Sequence, residues 1–390
     1  METPTLVYML KSRSFQIFFL LGVYFLGESF LSAGVHQGLY AISLVIKDLL
    51  MWILPLTVFF FIAYAISSFE RRAPLFILAL FLFEALSNSA SVWYAYGCAQ
   101  LTTSFLPTLE PYSFSDTFSP LWRIPLLPPA WWSADKGTFA GIALGLIRFP
   151  ALQTFFVKGK EAAEKVFVRV FSRLIPLFVL GFVARMYKTH LLQQLLDHYA
   201  SLLFWLLVIL AIYITLLFVL GNRNFLRSLK NLMPAAGVAI SSGSSLSTLP
   251  WTISGTAKNL QNPELAKAVL PATTNIQQIG DCIANSFLCF LIYTHFNGHA
   301  PSLALWIPFS LVFVLARFAT AATLGGAIFI MLPIYEAYLG FTPEMTALIL
   351  AFNVLCDPLI TCANVLANGA LCRIFEKIWT FALPNAQVKL

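Results

Sequence analysis

Charge is scarce in this chain. Only 11% of its 390 residues are Asp, Glu, Lys or Arg, where a soluble domain carries roughly a quarter. Too few are available to cover a water-facing surface, so an ordinary soluble domain is excluded. Cysteine is sparse as well: Cys98, Cys282, Cys289, Cys356, Cys362 and Cys372 form no CxxC spacing. That removes a redox pair or zinc knuckle and leaves small apolar filler. The five histidines (His36, His190, His198, His295 and His299) have no metal-ligand spacing. Glycine-rich nucleotide loops, HExxH and catalytic-triad patterns are missing too. No cofactor and no catalytic residue is expected, and a membrane enzyme would need a nucleophile–base pair that no histidine beside the polar segments supplies.

What is there is apolar. Windows of about 20 hydrophobic residues, enough to cross hydrocarbon, recur near 15–33, 42–67, 74–96, 137–156, 166–187 and 197–221, with irregular hydrophobic segments from 230 to 376. The first window follows Lys11 and Arg13 but is long and lacks a small-residue cleavage site, so it reads as an uncleaved span. The net charge of +7 does not call for nucleic acid. Basic residues cluster at Lys11/Arg13, Arg71/Arg72, Lys158 to Arg173, Arg223 to Lys230 and Arg373/Lys377/Lys389. With the N-terminus cytoplasmic, every cluster falls on the cytoplasmic side, as the positive-inside rule requires. The expectation is a multi-pass protein of the bacterial cell inner membrane with both termini cytoplasmic and the lipid bilayer as its partner.

Two polar elements interrupt this pattern. Residues 241–250 read Ser-Ser-Gly-Ser-Ser-Leu-Ser-Thr-Leu-Pro. Hydrocarbon does not tolerate such groups unpaired, so the run must be buried in protein or line a cavity. Gly243 and Pro250 are expected to break the helix, the usual device for a midplane substrate site in a transporter. Downstream, Asn353, Asp357, Thr361, Asn364 and Asn368 stand three and four residues apart, on one face of a helix. Between them lie two further interruptions, at 271–281 and 320–326. The order is hairpin, broken span, hairpin, polar span, as inverted repeats would leave it.

At these residues the chain resembles the dicarboxylate/amino acid:cation symporter family, which includes the excitatory glutamate transporters. That family's first re-entrant hairpin has a serine-rich tip ending in Thr-Leu-Pro, matched by Ser244, Ser245, Thr248, Leu249 and Pro250. In its seventh span a Pro precedes Asn-Met-Asp-Gly-Thr; here Pro271 precedes Gln277-Gln278-Ile279-Gly280-Asp281. The eighth-span pattern of Asp, Arg-Thr, Asn-Val and Asp falls on Asp357, Ile360-Thr361, Asn364-Val365 and Asn368, with Glu376-Lys377 in register. The second span fits through Met51 to Thr57. The resemblance implies an all-α homotrimer with eight transmembrane helices, two re-entrant hairpins and elevator-type alternating access.

By that resemblance, scaffold spans 1–2 occupy 1–73, span 3 occupies 74–96, and the external loop with spans 4–5 occupies 97–196. Span 6 takes 197–229, the first hairpin 230–262, broken span 7 263–297, the second hairpin 298–341, span 8 342–377 and a cytoplasmic tail 378–390.

The resemblance assigns roles residue by residue, and each has a plainer reading. Asp357 matches the anchor of the substrate ammonium; it could instead cap backbone at the kink of Pro358. Asn364 matches the α-carboxylate ligand, or makes an interhelical hydrogen bond. Thr361 and Ser245 match substrate neighbours, or pack. Ile360 replaces the arginine that holds an acidic side chain, and Asp281 replaces a nearby threonine, so glutamate and aspartate are disfavoured twice. Gln277, Asn364 and Asn368 fall on ion positions where two family carboxylates are lost, one of them at Ile279; sodium prefers such ligands. Thr320 matches a threonine of a third sodium site built mainly from backbone carbonyls. Glu84 lies near the family's sodium-binding hydroxyls, or is a buried acid bonded to Ser87 or Ser89. Asp281, beside Ile279 and Ile283, is a candidate for reversible protonation. The reading is a symporter for an α-amino acid with a neutral side chain, coupled to Na+, H+ or both. A cationic amino acid or dicarboxylate is the alternative cargo, and a non-transporting homologue the alternative class.

Overall fold

The computed structural model describes residues 13–67, 74–103, 118–124, 126, 129, 132, 134–145, 147, 149–166, 170, 172–188, 191–222, 224–243, 245–274, 276–320 and 327–382. Among the described residues the regular elements are all helices. They are α1 (Arg13–Gly27), α2 (Ala33–Ser67), α3 (Pro74–Thr102), α4 (Ala134–Gly145), α5 (Pro150–Val166), α6 (Ser172–Lys188) and α7 (Leu191–Gly221). There follow α8 (Phe225–Ser242), α9 (Ser245–Ala257), α10 (Glu264–Thr273), α11 (Ile279–Asn297), α12 (Leu303–Thr320), α13 (Ala327–Leu339) and α14 (Pro343–Ala382). A short 3₁₀ turn, Glu28–Phe30, separates α1 from α2.

Three helices carry windows long and apolar enough to cross a membrane among the described residues: Ser201–Gly221, Ile279–Asn297 and Leu355–Phe381. The 40 residues of α14 make it about 60 Å long, twice the hydrocarbon thickness. One expected span is split. The apolar stretch at 137–156 stops at Gly145, and a new helix starts at Pro150. Proline disfavours helical backbone in the residue before it and suits a first helical position. The new helix, α5, is amphipathic, carrying Lys158, Lys160, Glu161, Glu164 and Lys165.

The helices pack as two groups. In the first, α2 holds α4, α5 and α6 along its length, and α1 leans on α6. A described part of the loop after α3 is pinned to α2 by an Arg123–Asp48 ion pair of 3.0 Å and a Trp52–Leu126 hydrogen bond of 2.7 Å. In the second, α14 runs through the centre with α7, α8, α9, α10 and α11 around it, while α3 lies against α11 and α12. The groups meet where α6 touches α7 and α14 and where α12 touches α2 and α4. At the first junction Arg185 of α6 pairs with Glu344 in the first turn of α14 and hydrogen-bonds Tyr40 of α2.

Both hairpins are held by side-chain packing, the main source of cohesion where the solvent is itself apolar. Around α12–α13 this is aromatic: Trp306, Phe309, Phe313 and Tyr335 are all 0% exposed, and Trp306 rests on Tyr96 of α3 and Phe290 of α11. At the open end of α8–α9, Asn259 accepts from Asn231 Nδ2 at 2.7 Å and donates to the Ser228 carbonyl at 3.0 Å.

Candidate functional site

Two interruptions of helix meet α14, and an arginine of α12 reaches the second. The first is the tip between α8 and α9. Gly243 ends α8 with φ 59°, its N–H donating to the Ala239 carbonyl at 2.9 Å. That left-handed conformation suits glycine and strains other residues. Pro250, expected to break the helix, does not: it sits inside α9, and the described break from α8 is at Gly243. The tip reaches Asp357 so closely that a β-carbon on Gly243 would lie 3.2 Å from Asp357 Oδ2. No hydrogen bond or ion pair joins the Asp357 carboxylate to another described residue. The capping role at the Pro358 kink is therefore not seen, although α14 does run through Pro358.

The second interruption separates α10 from α11. Pro271 lies inside α10, and the helix ends two residues later. Across the gap Asn88 of α3 donates to the Ile276 carbonyl at 3.0 Å, and Gln277 Nε2 donates to Ser87 Oγ at 2.8 Å. Helix α11 then starts hard against α14: a β-carbon on Gly280 would stand 2.5 Å from the Ile360 carbonyl. The freed N–H groups of Gly280 and Asp281 donate to Asn364 Oδ1 at 2.8 and 3.3 Å. Asn364 Nδ2 donates back to Asp281 Oδ2 at 2.7 Å. Asn364 thus does what an N-cap does for a helix start, but from a neighbouring helix.

Helix α12 brings in a residue that the sequence pattern alone did not single out. Arg317, 0% exposed, stands with Nη1 3.4 Å from Asp281 Oδ1 and donates to Gln278 Oε1 at 3.0 Å. Its guanidinium lies over the Phe313 ring, 4.6 Å from the centroid. Asp281 is therefore not a lone carboxylate among Ile279 and Ile283 but the partly exposed half of an ion pair whose arginine is fully buried. A lone arginine inside an apolar segment is itself a signal that it faces a partner, and that signal was available in the sequence.

The remaining candidates fall as follows. Asp281 and Asp357 are near enough for their charges to interact. Ile360, Thr361 and Asn364 are 1%, 5% and 4% exposed, so they are packed inside the bundle rather than lining an open cleft. Asn368 is buried with Oδ1 unbonded, and Gln277 is engaged with Ser87. Ser245 opens α9, where its carbonyl accepts from Thr248 Oγ1 at 2.7 Å. The Thr320 side chain and residues 321–326 lie outside the described residues. The carboxylate of Glu84, 2% exposed, has no hydrogen-bond partner among the described residues, Ser87 and Ser89 included; the Ser87 hydroxyl donates to the Glu84 backbone carbonyl instead.

The profile of the sodium:dicarboxylate symporter family matches residues 137–378, well over half of the chain. The chain belongs to the sodium:dicarboxylate symporter family. No curated protein matches it. Membership makes it a multi-pass membrane transporter of the symporter class. The matched segment contains Asp281, Arg317, Asp357 and Asn364; α3, with Glu84, lies outside it.

Proposed function

We propose that this symporter carries an α-amino acid with a neutral side chain across the bacterial inner membrane, and that Asp357 holds the ammonium group. One observation carries this reading: Asp357 is a carboxylate within the bundle, at the α8–α9 tip, with no hydrogen bond or ion pair to another described residue. An unpaired charge inside a membrane bundle is costly and normally faces a partner or an ion path. The ammonium of a zwitterion supplies that partner. Beside it, Asp281 and Arg317 neutralise each other, leaving no net charge to attract a cationic side chain or repel a neutral one.

Around this site the reading extends to the assembly. The second helix group (α3 and α7–α14) moves as the transport domain against the first, in a homotrimer of eight spans and two re-entrant hairpins, with both termini cytoplasmic. In this reading the unbonded Asn368 and the third-site Thr320 serve coupling ions. The separation into two packed groups supports an elevator. Arg317 also lowers the negative charge of the site, which favours fewer coupling sodium ions, with protons as a substitute. A second reading has its own support. A substrate carboxylate could take Asp281's place on Arg317, which would admit an acidic amino acid despite Ile360.

Thermal-shift screening of purified protein against the amino acids, with and without sodium and at several pH values, separates the two. Ligands that bind the folded state raise its melting temperature. Neutral α-amino acids should give the largest shifts; glutamate or aspartate doing so at neutral pH would support the second reading. Reversal potentials in liposomes count the ions. Three sodium ions per substrate, with no response to a proton gradient, would contradict the proposed coupling.

A further inference from the structure

One buried acid is used by nothing described so far. Glu84 lies in the first half of α3, 2% exposed, and neither Oε1 nor Oε2 has a hydrogen-bond partner among the described residues. One turn along the same helix face, Asn88 is 0% exposed and its Oδ1 is also unbonded, its Nδ2 being committed to the Ile276 carbonyl. Three acceptor oxygens are thus stacked on one helix face without a donor. Buried polar groups are almost always satisfied, and an ionised carboxylate is the most costly to leave unpaired.

Among the described residues, no cation pairs with Glu84. Leu80 and Phe83, on the adjoining turns of α3, pack with Leu270 of α10 and Phe375 of α14 in an apolar cluster. The charged and titratable groups on the elements packed around α3 are otherwise engaged or remote. Arg317 of α12 is held by Asp281 and Gln278. Glu376 of α14 accepts from the Gln261 and Asn262 N–H groups and pairs with Arg373. Tyr213 of α7 lies against Tyr94, and Cys282 of α11 beside Ser91. Cys372 of α14 is the neighbour close enough to sense a charge at Glu84.

We propose that Glu84 is a proton-binding site on α3, and that its proton is a coupling ion of the transport cycle. A proton converts the carboxylate into a neutral group with an O–H to donate and needs no further ligands. A sodium ion would need a shell of oxygens, whereas the neighbours named here are apolar apart from Asn88. The site also has a mechanical route to the substrate region. The Ser87 hydroxyl joins the Glu84 carbonyl to Gln277, and Asn88 joins the Ile276 carbonyl, so the far end of that turn grips the α10–α11 break. Gln278, next in the chain, accepts from Arg317.

The coupling role rests on the symport reading above; the protonation does not. Two measurements keep their failures apart. Infrared spectroscopy of the purified wild-type protein should show a protonated-carboxyl band that Glu84→Gln lacks. Without that difference Glu84 is ionised and the proposal falls, whatever the protein transports. In liposomes bearing an internal pH dye, an equimolar mixture of the neutral proteinogenic L-amino acids should drive proton entry with wild type. Glu84→Gln should lose that proton flux yet still exchange preloaded amino acids, because glutamine keeps the shape and removes the titration. Proton entry persisting in Glu84→Gln, or loss of sodium dependence instead, would overturn the coupling role. If wild type moves none of the mixture under any gradient, the substrate reading fails, and the infrared band still decides the proton site.

Discussion

The two hairpins enter the same bundle with opposite chemistry. At the α8–α9 tip no charged residue lies in the stretch from Asn231 to Ala257, and the tip meets α14 through Gly243 against Asp357, which no other described residue pairs. The α12 arm of the other hairpin carries Arg317, which reaches across to Asp281 and Gln278 of α11. One hairpin leaves a charge for the ligand to answer; the other answers its own. On the proposed reading the ligand's chemistry is sensed at the first hairpin, while the second is latched to α11 by a cation built into the chain. A buried ion pair seldom adds much net stability, but losing one partner is expensive because the other stays charged and alone.

That contrast can be broken from either side. The largest effect should come from Asp357→Asn, which keeps shape and removes the charge: substrate uptake in liposomes should be abolished while the melting temperature without substrate stays unchanged or rises. Next, Arg317→Ala should destabilise the protein by about 3–5 kcal/mol through the stranded Asp281, seen as a lowered melting temperature. Adding Asp281→Asn should recover much of that loss, a coupling that independent sites would not show. Gly280→Ala forces a β-carbon toward the Ile360 carbonyl, and overpacking of that kind costs about 1–3 kcal/mol. The smallest effect belongs to Gly243→Ala, at about 1–2 kcal/mol for a left-handed residue, and it should fall on substrate affinity more than on stability because the tip abuts Asp357.

How much of this was legible in the sequence differs between the same two hairpins. Gly243 within a serine run is a local signal, and the backbone turns where that glycine stands. Asn353, Thr361, Asn364 and Asn368, three and four residues apart, are all buried on one helix. Local chemistry fixes both, so local reading finds them. Pro250 misled, because a proline removes one N–H without ending a helix whose neighbours support it. Arg317 was missed for the opposite reason. Its role lies in a long side chain crossing from α12 to α11, and position-by-position matching along the chain does not carry a reach between helices. Asp281 read alone looks like a repulsive or titrating acid; beside Arg317 it is half of a neutral unit. The division of 137–156 into α4 and α5 is local again: Gly145, Pro150 and the charges that follow mark it, while a hydropathy window averages across them.

The central claim is that Asp357 recognises an ammonium while the Arg317–Asp281 pair leaves the side-chain end of the site neutral. Titration calorimetry tests it most directly, comparing neutral α-amino acids, the same acids lacking the amino group, and C4 dicarboxylates on wild type and Asp357→Asn. The account predicts heat of binding for the amino acids alone, and its loss in Asp357→Asn. Equal binding of a dicarboxylate without an amino group, retained in Asp357→Asn, would contradict it.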